Sequence, residues 1–322
     1  MSRLIIPIGT TELSDTLFNV IASLTFTRRM AFPRRMVFTL KTLVLLILVT
    51  LIPALVLAQP ENTPSSLAER TPVPLNDNPV PPNDSREHWQ FEFGSASLYR
   101  QSPWDHASGD ALSVPTVAAR KGNWRFGLDH GLVSYVSRWR YAALSAGLGM
   151  RDESINSAIW GDSSDPKLKQ FDDSGAEITA SFGGQLFSGP VTLSLVAEQD
   201  ISGESDGLTL TTQLALPLYQ ADGRYAAKAQ WFIGGRWLDQ RYSQSLYGVS
   251  AQQASADFAR FDAPAALNPQ WGIQWLWPIN AHWLMRLRWQ QEQLDNTLHD
   301  SPLVQRKHSQ LAALTFTYRL SE

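Results

Sequence analysis

Three observations predict an all-β chain, a transmembrane antiparallel up-and-down β-barrel of about twelve strands, with ten as the alternative. Apolar and polar residues alternate with a period of two along segment after segment from Trp89 onward. The segments run roughly 10 to 14 residues, against the roughly 5 to 6 typical of soluble strands, and a tilted membrane strand needs about 9 to 11. Aromatic residues are abundant, with 12 Trp and 8 Tyr, and many stand at the ends of the alternating runs, where amphipathic rings form the girdles of membrane barrels.

The N-terminal part reads differently. Arg34, Arg35 and Lys41 lead into the apolar stretch Thr42 to Leu57, and Val56-Leu57-Ala58 precedes Gln59. Charge, apolar core and small residues in that order form a secretory signal peptide. The stretch includes Pro53 and falls short of the roughly 20 residues of a membrane-spanning helix, so cleavage is expected and not anchoring. Met30 and Met36 each offer a start with an ordinary basic region, which makes residues 1–29 an upstream over-extension of a signal peptide assigned to 1–58. Residues 59–86 are rich in Pro, Asn, Ser and Asp. They carry too little apolar surface to offset ordering entropy, and are expected to be a disordered periplasmic leader ahead of a barrel at 87–322.

Candidate strands follow at 89–100, 111–120, 123–132, 138–151, 175–187, 190–201, 205–218, 223–238, 267–279, 281–293 and 308–320. That makes eleven, and because single-chain bacterial barrels have even strand numbers, twelve is expected. The clearest run sets Ala176, Ile178, Ala180, Phe182 and Leu186 against Glu177, Thr179, Ser181, Gly183 and Gln185. Side chains alternate faces along a strand, so one face is apolar and the other polar. A soluble sandwich and a lipocalin-like barrel would alternate as well. The charges on the polar parity decide between them: Glu177, Glu198, Lys228, Arg236, Arg286 and Arg288 suit a wet lumen and not a dry core. Tight turns at Phe187–Pro190, Gln220–Gly223 and Ile279–Ala281 alternate with the stretches 152–174, 202–204, 239–266 and 294–307. Short turns belong in the periplasm and longer loops outside.

Composition removes several chemistries. There is no cysteine and the six histidines show no zinc-ligand spacing, so neither a metal nor a cofactor is expected. His308-Ser309, and His130 with Ser134, sit in no nucleophile motif. Asp162, Asp165 and Asp172-Asp173 lack the glycine and glutamate of a calcium loop and read as solvated loop charge. No catalytic residue is assigned, and the chain is read as non-enzymatic. Without residues 1–58, which hold six Lys/Arg and two Asp/Glu, 21 basic and 28 acidic side chains remain, a net of −7. Nucleic acid is therefore not an expected partner.

Four pieces of the C-terminal third carry a resemblance. They are Tyr247-Gly248-Val249-Ser250 followed by Ala251-Gln252-Gln253-Ala254, then His282-Trp283-Leu284, then Asp300-Ser301-Pro302-Leu303-Val304, and the closing Leu314-Thr315-Phe316-Thr317-Tyr318-Arg319-Leu320. In order and spacing they resemble the MipA/OmpV family of outer-membrane proteins, over about residue 89 to the end. The resemblance implies residence in a Gram-negative outer membrane, contact with its lipid, and insertion by the barrel-assembly machinery. Leu320 stands where the family usually ends on an aromatic. It also implies a scaffold role in peptidoglycan remodelling, with a lytic transglycosylase and a bifunctional penicillin-binding protein as partners. A small pore lined by the charges above, or a surface adhesin, is the alternative.

Overall fold

The computed structural model describes residues 88–104, 110–127, 131–155, 167–171, 176–223 and 225–320. The expected signal peptide and periplasmic leader lie outside the described residues. Twelve strands follow one another: β1 (Gln90–Gln101), β2 (Asp110–Lys121), β3 (Trp124–Gly127), β4 (Val133–Arg138), β5 (Ala142–Arg151), β6 (Glu177–Ser188), β7 (Val191–Asp200), β8 (Leu208–Gln220), β9 (Lys228–Leu238), β10 (Ala266–Pro278), β11 (Trp283–Gln293) and β12 (His308–Leu320). Each pairs antiparallel with its sequence neighbours, and β1 closes on β12 with Phe91 opposite Leu320 and Gln101 opposite Gln310. Every strand has a neighbour on both sides, as burying backbone polar groups in lipid requires. No helix among the described residues is long and apolar enough to cross a membrane; the crossing elements are strands.

The strand that sequence reading misses is β4. The expected strand at 123–132 ends at Gly127, and the expected strand at 138–151 begins only at Ala142. Two glycines with positive φ, Gly127 at 126° and Gly131 at 80°, bracket this break, in a backbone region that other residues rarely adopt. Val136 pairs with the inward Ser145 and lines the lumen. An apolar residue on the polar parity erases the alternation that would have revealed the strand. Likewise the expected start of β9 at residue 223 moves to Lys228, because Ala221 N–H donates to the Ala227 carbonyl across a turn.

The faces are arranged inside out relative to a soluble protein. Phe91, Phe93, Ile178, Phe182, Ile233, Leu267, Trp275 and Leu314 are exposed on the outer wall, while Glu92, Thr179, Asn268 and Gln270 on the opposite parity are buried. An apolar exterior of this extent is stable only against lipid. Rings gather where strands meet the short turns: Trp89, Trp124, Trp139, Tyr141, Trp277 and Trp283 are all exposed there. Trp283 packs against Tyr318 at 5.0 Å and Trp124 against Tyr135 at 5.2 Å, both edge-on.

The turns at 122–123, 139–141, 189–190, 221–227 and 279–282 lie at this girdled end, while the brief connection 201–207 lies at the other. At the opposite end the chain spends residues 152–176, 239–265 and 294–307 on connections. One of them carries the helix α1 (Gln240–Tyr247). Asp239 caps it, its carboxylate accepting from Tyr242 N–H at 2.8 Å, and Tyr242, Ser243, Leu246 and Tyr247 form its buried face, at the three- and four-residue spacing of an amphipathic helix.

Candidate functional site

At the loop side of the barrel the described connections meet in an apolar cluster, here called the plug. Leu238 at the end of β9 and Tyr242, Leu246, Tyr247, Val249, Phe258 and Ala263 from the β9–β10 connection meet Trp104, Ile155, Leu168, Phe171, Leu294, Leu298 and Leu303 from three other connections. Val249 and Leu298 are 0% exposed. Polar groups are satisfied inside it: Trp104 Nε1 donates to the Leu246 carbonyl at 3.1 Å, and Ser301 Oγ to the Tyr247 carbonyl at 2.7 Å. Phe171 and Phe258 pack edge to face at 4.7 Å. At roughly 1.5–3 kcal/mol per buried large side chain, such a cluster is a folded unit and not a loose collection of loops.

Directly beneath it lies a layer of paired charges. Arg151 Nε donates to Glu177 at 2.7 Å and its Nη1 to Thr209 Oγ1 at 3.3 Å, while its guanidinium lies 3.8 Å from the Tyr242 ring centre. Arg236 stands 2.8 Å from Glu153 and 3.8 Å from Glu292. Tyr242 OH donates to Glu153 at 2.8 Å. Asn268 Nδ2 donates to Glu292 at 2.7 Å, and Asn268 Oδ1 accepts from Asp295 N–H at 2.9 Å. Burial alone would raise the Glu153 carboxyl, but Arg236 and the Tyr242 hydroxyl hold it below the ordinary carboxylate range. Burial, and then the neighbouring Glu153 charge, push the Tyr242 phenol far up. Burial also raises that of Tyr247. The layer surrounds a cavity of ≈ 340 Å³ reaching Arg100, Trp104, Tyr247 and Ser309.

The turn-side half of the lumen has another character. A second cavity of ≈ 580 Å³ is lined by Arg125, Arg138, Arg286 and Arg288 together with Ser134, Ser145, Ser181, Gln185, Gln274 and Thr315. Arg288 lies 4.6 Å over the Phe232 ring and donates to Gln290 at 2.8 Å. At the floor, Glu92 is 3.4 Å from Arg120 and 3.1 Å from Arg319.

Of the charges singled out in the sequence, Glu177 and Arg236 belong to the paired layer, and Glu198 accepts from Thr209 Oγ1 at 3.4 Å beside it. Arg286 and Arg288 line the turn-side cavity. Lys228 sits at the foot of β9, opposite the buried Leu276. The loop motif Tyr247-Gly248-Val249-Ser250 ends α1 and enters the plug. Gly248 N–H donates to the Gln244 carbonyl, Val249 bridges Phe261, and Ser250 Oγ pairs with Gln253 Oε1 at 2.8 Å. The Asp300–Val304 motif lands against it through Ser301 and Leu303. His282-Trp283 closes a tight turn in which Asn280 Oδ1 accepts both backbone N–H groups at 2.9 Å. His308 and Ser309 are successive strand residues, so their side chains take opposite faces and form no catalytic pair. His130 lies outside the described residues, as do Asp162, Asp165, Asp172 and Asp173. Sequence reading missed Arg125, Arg138, Arg151, Glu153 and Tyr242. Arg151 and Arg138 stand at strand ends on the lumen parity, which was the available signal; Glu153 and Tyr242 lie in loops with no periodic pattern.

Residues 86–320 match the family described as MltA-interacting protein MipA. In sequence, no curated protein matches the chain. Among solved structures, the outer membrane channel DcaP of Acinetobacter baumannii is 8% identical with a TM-score of 0.28, covering 72% of this chain and 96% of that one. OprB of Pseudomonas putida is 7% identical with a TM-score of 0.32, covering 74% and 95%. The outer membrane protein OprG of Pseudomonas aeruginosa is 8% identical with a TM-score of 0.22, covering 74% and 100%. Likeness this distant adds nothing to a fold assigned from strand pairing. The family match spans every strand from β1 to β12, and the lipid-facing exterior fits it: the chain is an outer-membrane β-barrel protein and belongs to the MltA-interacting protein MipA family.

Proposed function

We propose that the protein is a scaffold barrel, holding a lytic transglycosylase and a bifunctional penicillin-binding protein together at the inner face of the outer membrane. The observation that carries this reading is the plug. Among the described residues an apolar cluster sits over a layer of paired charges on the loop side, an arrangement better suited to presenting a surface than to passing solutes. The family description names interaction with MltA, and in this reading the murein enzymes meet the short-turn side, which faces the peptidoglycan. Residues 1–58 are removed on export, and 59–86 form a leader on that same side.

The test is crosslinking in intact envelopes followed by purification of the barrel in mild detergent. Recovery of a lytic transglycosylase, with crosslinks mapping to the turns at 122–123, 139–141, 189–190 and 279–282, is the expected result. Crosslinks confined to 152–176 and 239–265 would refute it and favour a surface adhesin. Deleting residues 60–85 without losing the partner would remove the leader from the mechanism. The rival pore reading predicts regular ion-selective steps in planar bilayers; the scaffold reading predicts a silent barrel.

A further inference from the structure

Two of the twelve strands are too short to cross a membrane. Residues 124–138, fifteen in all, supply β3, β4 and their connection, whereas a single crossing needs about 9 to 11. The ladders show where the deficit falls. β2 pairs with β1 from Arg120 to Asp110, but with β3 only from Lys121 to Ala118. β4 meets β5 no higher than Val133 opposite Leu148. Among the described residues the wall is therefore breached on the loop side of the β3–β4 hairpin, between Ala111–Val117 of β2 and Gly149–Arg151 of β5. The Val117 carbonyl faces that side, since a Cβ on Gly127 of β3 would overlap it, and by alternation the backbone of Ser113 and Pro115 faces it too. Pro115 has no N–H to leave stranded there, which suits a strand edge. Unpaired backbone at membrane depth is tolerated where it lines a cavity. One of ≈ 580 Å³ lies behind the breach, lined from this side by Val114, Thr116 and Val136.

We propose that this breach is a lateral slot that admits an acyl chain of the surrounding lipid, from the loop-side leaflet into the lumen. Polarity on the wall beside it is reversed. The inward residues of β1 and β2 are apolar here, Leu98 opposite Leu112 and Ala96 opposite Val114. The outward residues Ser95, Ser97 and Ser113 are exposed and polar, with the Ser97 and Ser113 hydroxyls 3.0 Å apart. Elsewhere on the barrel the outside is apolar and the lumen carries amides, hydroxyls and charge. An apolar ledge gains nothing from lumen water, and a hydrocarbon chain laid on it removes apolar surface from that water. Hydrocarbon is also what stands outside the breach, where Val117, Tyr135 and Leu148 on its frame are exposed on the lipid-facing wall. Val136 adds to the ledge from β4. The headgroup stays at the interface, so the slot holds a lipid by its tail. It needs no murein enzyme and stands apart from the scaffold reading.

The chain has no cysteine, so single-cysteine variants of the full chain can each carry one bimane fluorophore. Val114→Cys labels the ledge, Gln213→Cys an inward position on β8 far from the breach, and Ile233→Cys the lipid-facing wall. Each labelled protein is folded into phosphatidylcholine vesicles in which a fraction of the lipid bears a nitroxide midway along one acyl chain. That lipid is not free in water, so its nitroxide reaches the lumen only through the wall. Quenching at position 114 is expected to approach that at 233 and to exceed that at 213 several-fold. Leu98→Gln with Leu112→Gln should then lower chain occupancy at 114 about tenfold, because the lost contact is equivalent to about two methylenes, and leave position 233 unchanged. Folding of each variant is checked by heat-modifiable migration, and the signal at 233 confirms insertion. Quenching at 114 no greater than at 213 overturns the proposal, since the chain itself would then cover the breach. Undiminished quenching at 114 in the folded double-glutamine variant overturns it as well, since no chain would then rest on the ledge.

Discussion

Tyr242 ties the plug to the charge layer, and truncating it tests whether the two form one unit. Its ring is 1% exposed, lies 3.8 Å from the Arg151 guanidinium, and its hydroxyl donates to Glu153 at 2.8 Å. Removing a buried aromatic costs about 3–5 kcal/mol, and a desolvated cation–π contact contributes about 2 kcal/mol. These overlap, so about 4 kcal/mol is expected for Tyr242→Ala. Tyr242→Phe removes only the hydroxyl; Glu153 keeps Arg236 at 2.8 Å, and about 1.5 kcal/mol is expected. The loss is local, because β8, β9 and β10 are held by their own ladders. The suitable assay is therefore hydrogen exchange of the amides of 240–261, read against those of 308–320 as internal control. At tenfold per 1.36 kcal/mol, exchange in the plug should quicken about a thousandfold in the alanine variant and about tenfold in the phenylalanine variant. The β12 amides should not change. If Tyr242→Ala alters plug exchange by less than about threefold, or if β12 quickens equally, the idea of a separate plug seated on a charge layer is wrong.

The same assay followed against pH has a defined shape. Glu153 is held below its ordinary value of 4.5, so its contribution is present above that pH and fades as pH falls beneath it. Tyr242 is held far above 10.0, so its contribution is present below that pH and fades above it. Plug exchange should be slowest between these limits; Glu153→Gln should remove the acid limb and Tyr242→Phe the alkaline one. A Cβ on Gly234 would overlap the Thr212 carbonyl across the β8–β9 ladder, whereas one on Gly184 meets only Leu144 Cδ2 at 3.5 Å. Gly234→Ala should abolish the heat-modifiable folded band, and Gly184→Ala should retain it. Asn268→Ala leaves Glu292 without its amide donor and the Asp295 N–H without its acceptor. At about 1–3 kcal/mol for each stranded group, the urea midpoint should fall clearly below that of the parent barrel.

The wall of the barrel was legible in the sequence because lipid on one side and water or charge on the other force a period of two on every long strand. Runs such as Trp271, Ile273, Trp275 and Trp277 carry that pattern without interruption. It failed at β3 and β4, where four and six residues are too few to establish a period and Val136 breaks the polar face. The plug was not legible for a different reason. Trp104, Phe171, Tyr242, Phe258, Leu298 and Leu303 come from four different connections, and none sits in a periodic run until the barrel brings the loop ends together. The cavity arginines were half legible. Arg286 and Arg288 lie on a clean alternating strand, whereas Arg125 and Arg138 lie on the two elements whose boundaries sequence reading misplaced.

The family motifs raise a question that one substitution answers. Tyr247–Ser250 and Asp300–Val304 are some fifty residues apart, yet Ser301 Oγ donates to the Tyr247 carbonyl at 2.7 Å in a fully buried setting. Two segments that share a family pattern and touch one another inside a core are more economically explained by the need to close the mouth than by a ligand or partner at either. Ser301→Ala leaves the Tyr247 carbonyl unsatisfied at a cost of about 1–3 kcal/mol, so the loops 239–265 and 294–307 should become sensitive to external protease. Partner recovery from envelopes should be unchanged, because the proposed contacts lie at the other end of the barrel. If Ser301→Ala instead lost the partner while the loops stayed protease-resistant, the motif would be a recognition surface, and the plug would be its consequence.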